Sequence, residues 1–243
     1  MKAIILAAGC GSRIDPAIND NPKCFLTINN ETLLERLINQ LIENDFDSIT
    51  VVIGYKKEIF YNIIGSRYNN IKFVVNDEYD NDVNILSLTL ALRQDLTPCY
   101  LFEADCIFED ECFNLILDTS LENKSFWFSK GMFKQNQNGG IIKANNNGEI
   151  VDIKIVDNYI DRYKDYYKMI GLFKIGENEL RKYFTFLIKA SKNSINQYYH
   201  LPWINNMKVL KSYLVDFGNL KVASINTLDD YNNAKELFIN ETG

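Results

Sequence analysis

Apolar residues come in two rhythms along this chain. Residues 3–6 form an unbroken apolar run closed by Ala7-Ala8-Gly9, the pattern of a strand buried on both faces of a parallel sheet. Leu33, Leu34, Leu37, Ile38, Leu41 and Ile42 then recur at helical spacing and predict a helix over 31–44. The alternation continues with a strand over 49–53 ended by Gly54, a helix over 58–64, a strand over 73–75 and a helix over 85–92. A strand over 99–102 runs directly into Glu103-Ala104-Asp105. Strand and helix in turn, with short connections, predict an α/β fold: a doubly wound, mostly parallel Rossmann-like sheet.

From about Phe126 the texture changes. Residues 126–128, 141–143 and 150–156 read as strands, and Asn145-Asn146-Asn147-Gly148 reads as a hairpin turn. These segments predict an antiparallel extension of the same sheet. Helices are expected over 180–189 and 228–238. No stretch is polar enough to serve as a linker and no internal repeat is visible, so 1–243 reads as one domain with an antiparallel part after Phe126.

Charge and composition then narrow the chemistry. The 243 residues carry 26 Lys plus Arg against 32 Asp plus Glu, a net charge of −6. An acidic balance repels phosphate backbones, so no broad nucleic-acid surface is expected, while a pocket needs only two or three local cations to hold a small anion. The single histidine, His200, excludes His-based metal cages and disfavours a Ser-His-Asp or Cys-His triad. Five cysteines (Cys10, Cys24, Cys99, Cys106 and Cys112) form no C-x-x-C pair and read as reduced thiols in apolar stretches. The Ala7-Ala8-Gly9-Cys10 run looks like a lipoprotein cleavage site, but the apolar run of six over residues 3–8 is too short for a signal core. No run approaches the about 18 apolar residues of a membrane span, so a cytoplasmic protein without a membrane partner is expected.

The sharpest motif follows the first strand: Leu6-Ala7-Ala8-Gly9-Cys10-Gly11-Ser12-Arg13, then Asn21-Pro22-Lys23. Small residues at a strand's carboxyl end let a ligand lie against backbone. Gly9 and Gly11 permit positive φ and let successive N–H groups point at a phosphate. Arg13 offers a planar fork for phosphate oxygens and Lys23 a compact second cation. No Walker G-x-x-x-x-G-K is present, and Ile14 stands where a dinucleotide fingerprint needs its third glycine. The bland alternative is a glycine-containing turn with an exposed arginine.

Leu-Ala-Ala-Gly-x-Gly-Ser-Arg followed about ten residues later by Pro-Lys resembles the signature of nucleotidyltransferases that make sugar nucleotides and CDP-alcohols. With Asn84-Ile85-Leu86-Ser87, the order and length of the chain are most similar to the CTP:phosphocholine and 2-aminoethylphosphonate cytidylyltransferase branch. The resemblance implies a nucleotide-binding core over 1–125 and an acceptor-binding part over 126–243. It implies that Leu6, Ala8, Gly9, Gly11, Ser12 and Arg13 bind the nucleotide, with Gly9, Gly11 and Arg13 on the triphosphate, that Arg13 and Lys23 serve catalysis, and that Asn84 and Ser87 read the base. The partners implied are CTP and a small phosphorylated acceptor, with the chain a monomer or homodimer.

Glu103-Ala104-Asp105 places carboxylates at the end of a parallel strand, where ligands of such sheets bind. Hard oxygen ligands suit Mg²⁺, which takes one or two carboxylates plus substrate phosphates. The resemblance makes Asp105 the metal ligand. It also aligns Ser224-Ile225-Asn226-Thr227-Leu228-Asp229-Asp230 with a late segment that supplies a second ligand, here the uncharged Asn226. The competing reading is that Asn226 or Thr227 only caps the last helix. Aromatic residues at Tyr159, Tyr163, Tyr166-Tyr167 and Tyr198-Tyr199-His200-Leu201-Pro202-Trp203 could cage a quaternary ammonium, with Tyr199 and Trp203 as the acceptor-binding candidates. Phe126 and Phe128 read as sheet packing. Relatives that hold an amino-alcohol phosphate often follow the Tyr-Tyr pair with an acid, where this chain has His200. A sugar-1-phosphate nucleotidyltransferase and a non-catalytic nucleotide-binding module are the alternatives to a cytidylyltransferase.

Overall fold

A computed structural model of the chain describes residues 1–11 and 21–238. β1 (Lys2–Leu6) leads, through a one-turn helix at Lys23–Phe25, to a short hairpin of β2 (Thr27–Ile28) and β3 (Glu31–Thr32). α1 (Leu33–Glu43), β4 (Ser48–Ile53), α2 (Lys57–Phe60), β5 (Ile71–Val75), α3 (Ile85–Gln94) and β6 (Cys99–Glu103) continue the alternation. Beyond them come β7 (Cys106–Phe108), α4 (Cys112–Asp118), β8 (Ser125–Met132), β9 (Gly139–Ala144) and β10 (Ile150–Val156). The chain closes with β11 (Tyr167–Ile175), α5 (Glu177–Asn193), α6 (His200–Ile204), β12 (Ser212–Asp216), β13 (Val222–Ser224) and α7 (Leu228–Phe238).

Nine strands make one sheet, in the order β10-β9-β11-β6-β1-β4-β5, with β8 pairing β11 and β12 pairing β8. β1, β4, β5 and β6 are parallel to one another, and β11 lies antiparallel against β6. The α/β sheet with its antiparallel extension is therefore as expected from the sequence. Helices cover both faces. Ala3, Ile5 and Val51 pack with Leu34, Leu37 and Leu41 of α1 on one side, and Ile4, Val52 and Leu101 pack with Leu88 of α3 and Leu187 of α5 on the other. Burial of these strands on both faces is why they read as continuous apolar runs.

Local chemistry explains where boundaries differ from expectation. α1 starts at Leu33 because Thr32 caps it: Thr32 Oγ1 accepts from the Glu35 backbone N–H, and Glu35 reaches back to the Thr32 N–H. The helix expected over 58–64 is α-helical for four residues and then π-helical over Tyr61–Gly65. β11 was not expected, since Lys168, Gly171 and Lys174 break its apolar run, and neither were the short β7, α4, α6, β12 and β13.

His200 opens α6 buried, and neither ring nitrogen has a hydrogen-bond partner among the described residues. Burial alone pushes its pKa down to about 4. The ring is therefore neutral in the fold and charges more readily in the unfolded chain, whose His titrates near about 6.5. Stability from this residue is complete above that value and is lost as pH falls toward 4, by roughly 3 kcal/mol. Urea unfolding of wild type and His200→Leu at pH 7.5 and pH 4 checks this. The wild type should lose more stability than the variant, and equal losses would contradict the buried neutral ring.

Candidate active site

The loop after β1 is held by its neighbours. The Ala7 N–H donates to Val52 O at 2.9 Å, and Ala8 O accepts from the Tyr55 N–H at 3.0 Å. Gly54 must be glycine, because a Cβ there would sit 2.9 Å from Ala8 O and 2.6 Å from Tyr79 Cβ. Leu6 and Ala8 thus ride on the carboxyl ends of β1 and β4. Gly11 takes the expected positive φ of 69°, and a Cβ there would meet Lys23 Cβ at 2.8 Å. Gly9 differs from expectation: its φ is not positive, it is exposed, and a Cβ there would meet nothing within 4 Å. Ser12 and Arg13 lie outside the described residues.

Lys23 follows Pro22, and its neighbour Cys24 is buried in the core, which anchors the segment. Its Nζ donates to Asp105 Oδ2, an ion pair that joins positions 82 residues apart. Asp105 sits in the turn between β6 and β7. The Ala104 N–H donates to Leu6 O at 3.1 Å, and Asp105 O accepts from the Ile225 N–H at 2.9 Å. One turn is thereby clamped between the end of β1 and the end of β13. Asn226 follows Ile225 in the chain, and its N–H donates to Asp230 Oδ2 at 3.0 Å.

Glu103, quoted in the sequence motif without a role, is part of this centre. Gly171 of β11 makes room for it, since a Cβ there would approach Glu103 Oε2 to 2.5 Å. The Tyr199 side chain lies against its carboxylate. Burial, and then the charge of Asp105, push the Glu103 carboxyl up to about 7. Two carboxylates crowded this way call for positive charge. Glu103, Asp105 and Cys106 present ligand atoms within 4.8 Å of one another. Burial raises the Cys106 thiol well above its ordinary value, so it stays neutral. The anionic donors are then oxygens alone, a set that suits a hard divalent cation.

The structure redistributes several expected roles. The Thr227 hydroxyl accepts from the Asp230 N–H at 3.1 Å while Asp230 Oδ2 accepts from the Thr227 N–H at 2.9 Å, so Thr227 caps α7. Ser87 is buried in a network in which its hydroxyl donates to Asp82 at 2.8 Å and accepts from Asn76 at 2.9 Å. It props the start of α3, where Asp82 also accepts from the Leu86 and Ser87 N–H groups. Asn84 Oδ1 accepts from the Tyr199 N–H at 2.8 Å, tying α3 to the segment that presents Tyr199. Trp203 is fully buried, edge-on to Phe173 at 4.9 Å and to Tyr183 at 5.0 Å, and is a core residue rather than a wall for an acceptor. Tyr199 is also buried, with its side chain against Glu103. The sequence held a sign of Asp82, an acid ahead of an apolar helix, but none of the pairing of Tyr199 with Glu103. All five cysteines are free, with Cys10 exposed and the other four buried.

A sheet of this topology, with a small-residue loop on its first strand and a lysine–aspartate pair at the crevice, defines a nucleotidyltransferase. Residues 3–124, half the chain, match the MobA-like NTP transferase domain, and the chain belongs to that family. It is 28% identical to a choline-phosphate cytidylyltransferase of Streptococcus pneumoniae, across 99% of this chain and 100% of the relative. It is 29% identical to a 2-aminoethylphosphonate cytidylyltransferase of Lancefieldella rimae, across 79% of this chain and 74% of that one. Among solved structures, a CTP:phosphocholine cytidylyltransferase from S. pneumoniae superposes with a TM-score of 0.82 at 26% identity, covering 97% of this chain and 98% of the other. Among the described residues, no helix is long and apolar enough to cross a membrane.

Proposed function

We propose that the protein transfers CMP from CTP to a small acceptor bearing a phosphate or phosphonate, with release of pyrophosphate and with Mg²⁺ as cofactor. The observation that carries this reading is the Lys23–Asp105 pair beneath the Gly11 turn, which puts a cation and an acidic centre at one crevice. The cytidylyltransferase names of the relatives similar to this chain support the choice of CTP. Gly9 and Gly11, with Ser12 and Arg13, are assigned to the triphosphate, and Lys23 to the reacting phosphate. Asp105, with Asn226, is assigned to the metal, which when bound would offset the charge gathered on the phosphates.

The chemistry asks little else of the chain. The acceptor oxygen is already anionic at neutral pH, so no general base is needed, in keeping with a single histidine that is buried and neutral. That oxygen attacks the α-phosphorus of CTP in line, and pyrophosphate leaves on the opposite side. The work of the protein is positioning and neutralisation of charge. Pyrophosphate release, measured for each of four NTPs against phosphocholine, phosphoethanolamine, 2-aminoethylphosphonate, glycerol phosphate and sugar 1-phosphates, tests the reading. CTP should be the preferred donor. Preference for another NTP with a sugar 1-phosphate would replace it with the sugar-nucleotide alternative.

A further inference from the structure

Strand β11 runs antiparallel to β6 with Leu172 opposite Phe102, so the residues before Leu172 extend past the end of β6 into the crevice. Lys168 is one of them. Its Nζ donates to Met169 O at 2.9 Å and Gly140 O at 3.3 Å, and makes no ion pair among the described residues. Gly139, with φ of 89°, leaves the flank of that ammonium open: a Cβ there would lie 3.5 Å from Nζ. A second cation, Lys130 of β8, acts on it from the part of the β8–β11 pairing bounded by Ser129 opposite Met169 and Met132 opposite Tyr167. Lys130 is also without an ion pair among the described residues. The carboxylate that acts on it is Glu103, which stands in the acidic cluster with Asp105.

Two partly buried lysines on paired strands, neither with an ion pair among the described residues, repel each other and are costly to keep charged. Burial and Lys130 accordingly hold the Lys168 ammonium down to about 8. Its counterpart farther along β11 shows the contrast. Lys174 is also buried, but its Nζ is spent on Thr119 O and Glu122 O at the end of α4, a structural use. Among the described residues, Lys168 has its third N–H uncommitted at the crevice end of the strand. Of the aromatic residues named as a cage for an ammonium, Tyr163, Tyr166, Tyr199 and Trp203 are buried in packing, while Tyr159, Tyr167 and Tyr198 keep some exposure.

We propose that Lys168 and Lys130 form an anion subsite in the acceptor half of the crevice, so that the preferred acceptor carries a second anionic group, a carboxylate or phosphate, besides the phosphate that reacts. This rests on the cytidylyltransferase reading and names the acceptor class for it. A charge-assisted hydrogen bond to a partly desolvated lysine supplies the selectivity.

Matched acceptors isolate the second anion: O-phosphoserine against phosphoethanolamine for a carboxylate, and ethane-1,2-diol bisphosphate against ethyl phosphate for a phosphate. With CTP in excess, the doubly anionic member of at least one pair should have about tenfold or higher kcat/KM. Lys168→Met, and independently Lys130→Met, should erase that advantage while leaving the KM for CTP and the rates with the singly anionic members within about twofold. Equal kcat/KM within both pairs for the wild type overturns the proposal. So does a Lys168→Met variant that loses activity equally with both members, which would place Lys168 on the reacting phosphate. If no acceptor supports pyrophosphate release from CTP, the cytidylyltransferase reading fails instead. The same pairs, titrated calorimetrically onto wild type and both variants without nucleotide, then decide the subsite by whether the second anion strengthens binding only when both lysines are present.

Discussion

Asp105→Ala should leave no measurable CTP-dependent pyrophosphate release, a fall of about 1,000-fold or more. The substitution removes the carboxylate that receives Lys23 and that stands with Glu103 at the centre of the acidic cluster. Asp105→Asn keeps the size of the side chain and only its charge is lost, so it should be nearly as inactive. The fold should survive both changes, because the turn is held by backbone bonds, Ala104 N–H to Leu6 O and Ile225 N–H to Asp105 O, which neither substitution touches. Steady-state rates across a Mg²⁺ titration, with a melting curve for each variant, check this. Activity restored at high Mg²⁺ in Asp105→Ala would mean that the essential metal ligands lie elsewhere.

Lys23→Ala should lower turnover by about 100-fold, the usual effect of removing one preorganised charge from a reacting centre. Its segment stays anchored through buried Cys24 and through the Leu26 N–H bond to Lys23 O at 3.0 Å. The melting temperature should therefore change by only a few degrees. The KM for the acceptor should rise if Lys23 touches the reacting phosphate. Near-normal turnover with a lower melting temperature would make Lys23 a structural partner of Asp105 and nothing more.

Elements whose sequence pattern is set by local physics were legible. The boundaries of β10 and α7 match the expectation residue for residue, and β1 and α3 differ from it only at their ends. β1 reads clearly because it is buried on both faces. β11 did not, because its lysines have long-range tasks: Lys174 binds the end of α4 and Lys168 reaches the crevice, and no local pattern announces either. The same divide runs through the site. Gly11, Lys23 and Asp105 were nominated from sequence, and the last two meet in space. Ser87 follows from the resemblance and Trp203 from the aromatic run, and in the structure one props a helix and the other lies in the core. Glu103 was overlooked as a participant because its environment is assembled from Gly171 and Tyr199, which are far along the chain.

The most direct test follows the phosphorus atoms. ³¹P NMR of CTP, Mg²⁺ and a phosphorylated acceptor with the protein should show pyrophosphate and a new CMP-linked diphosphate growing in equal amounts, and only when the acceptor is present. CDP with inorganic phosphate, or pyrophosphate that forms without any CMP-linked product, would contradict the account.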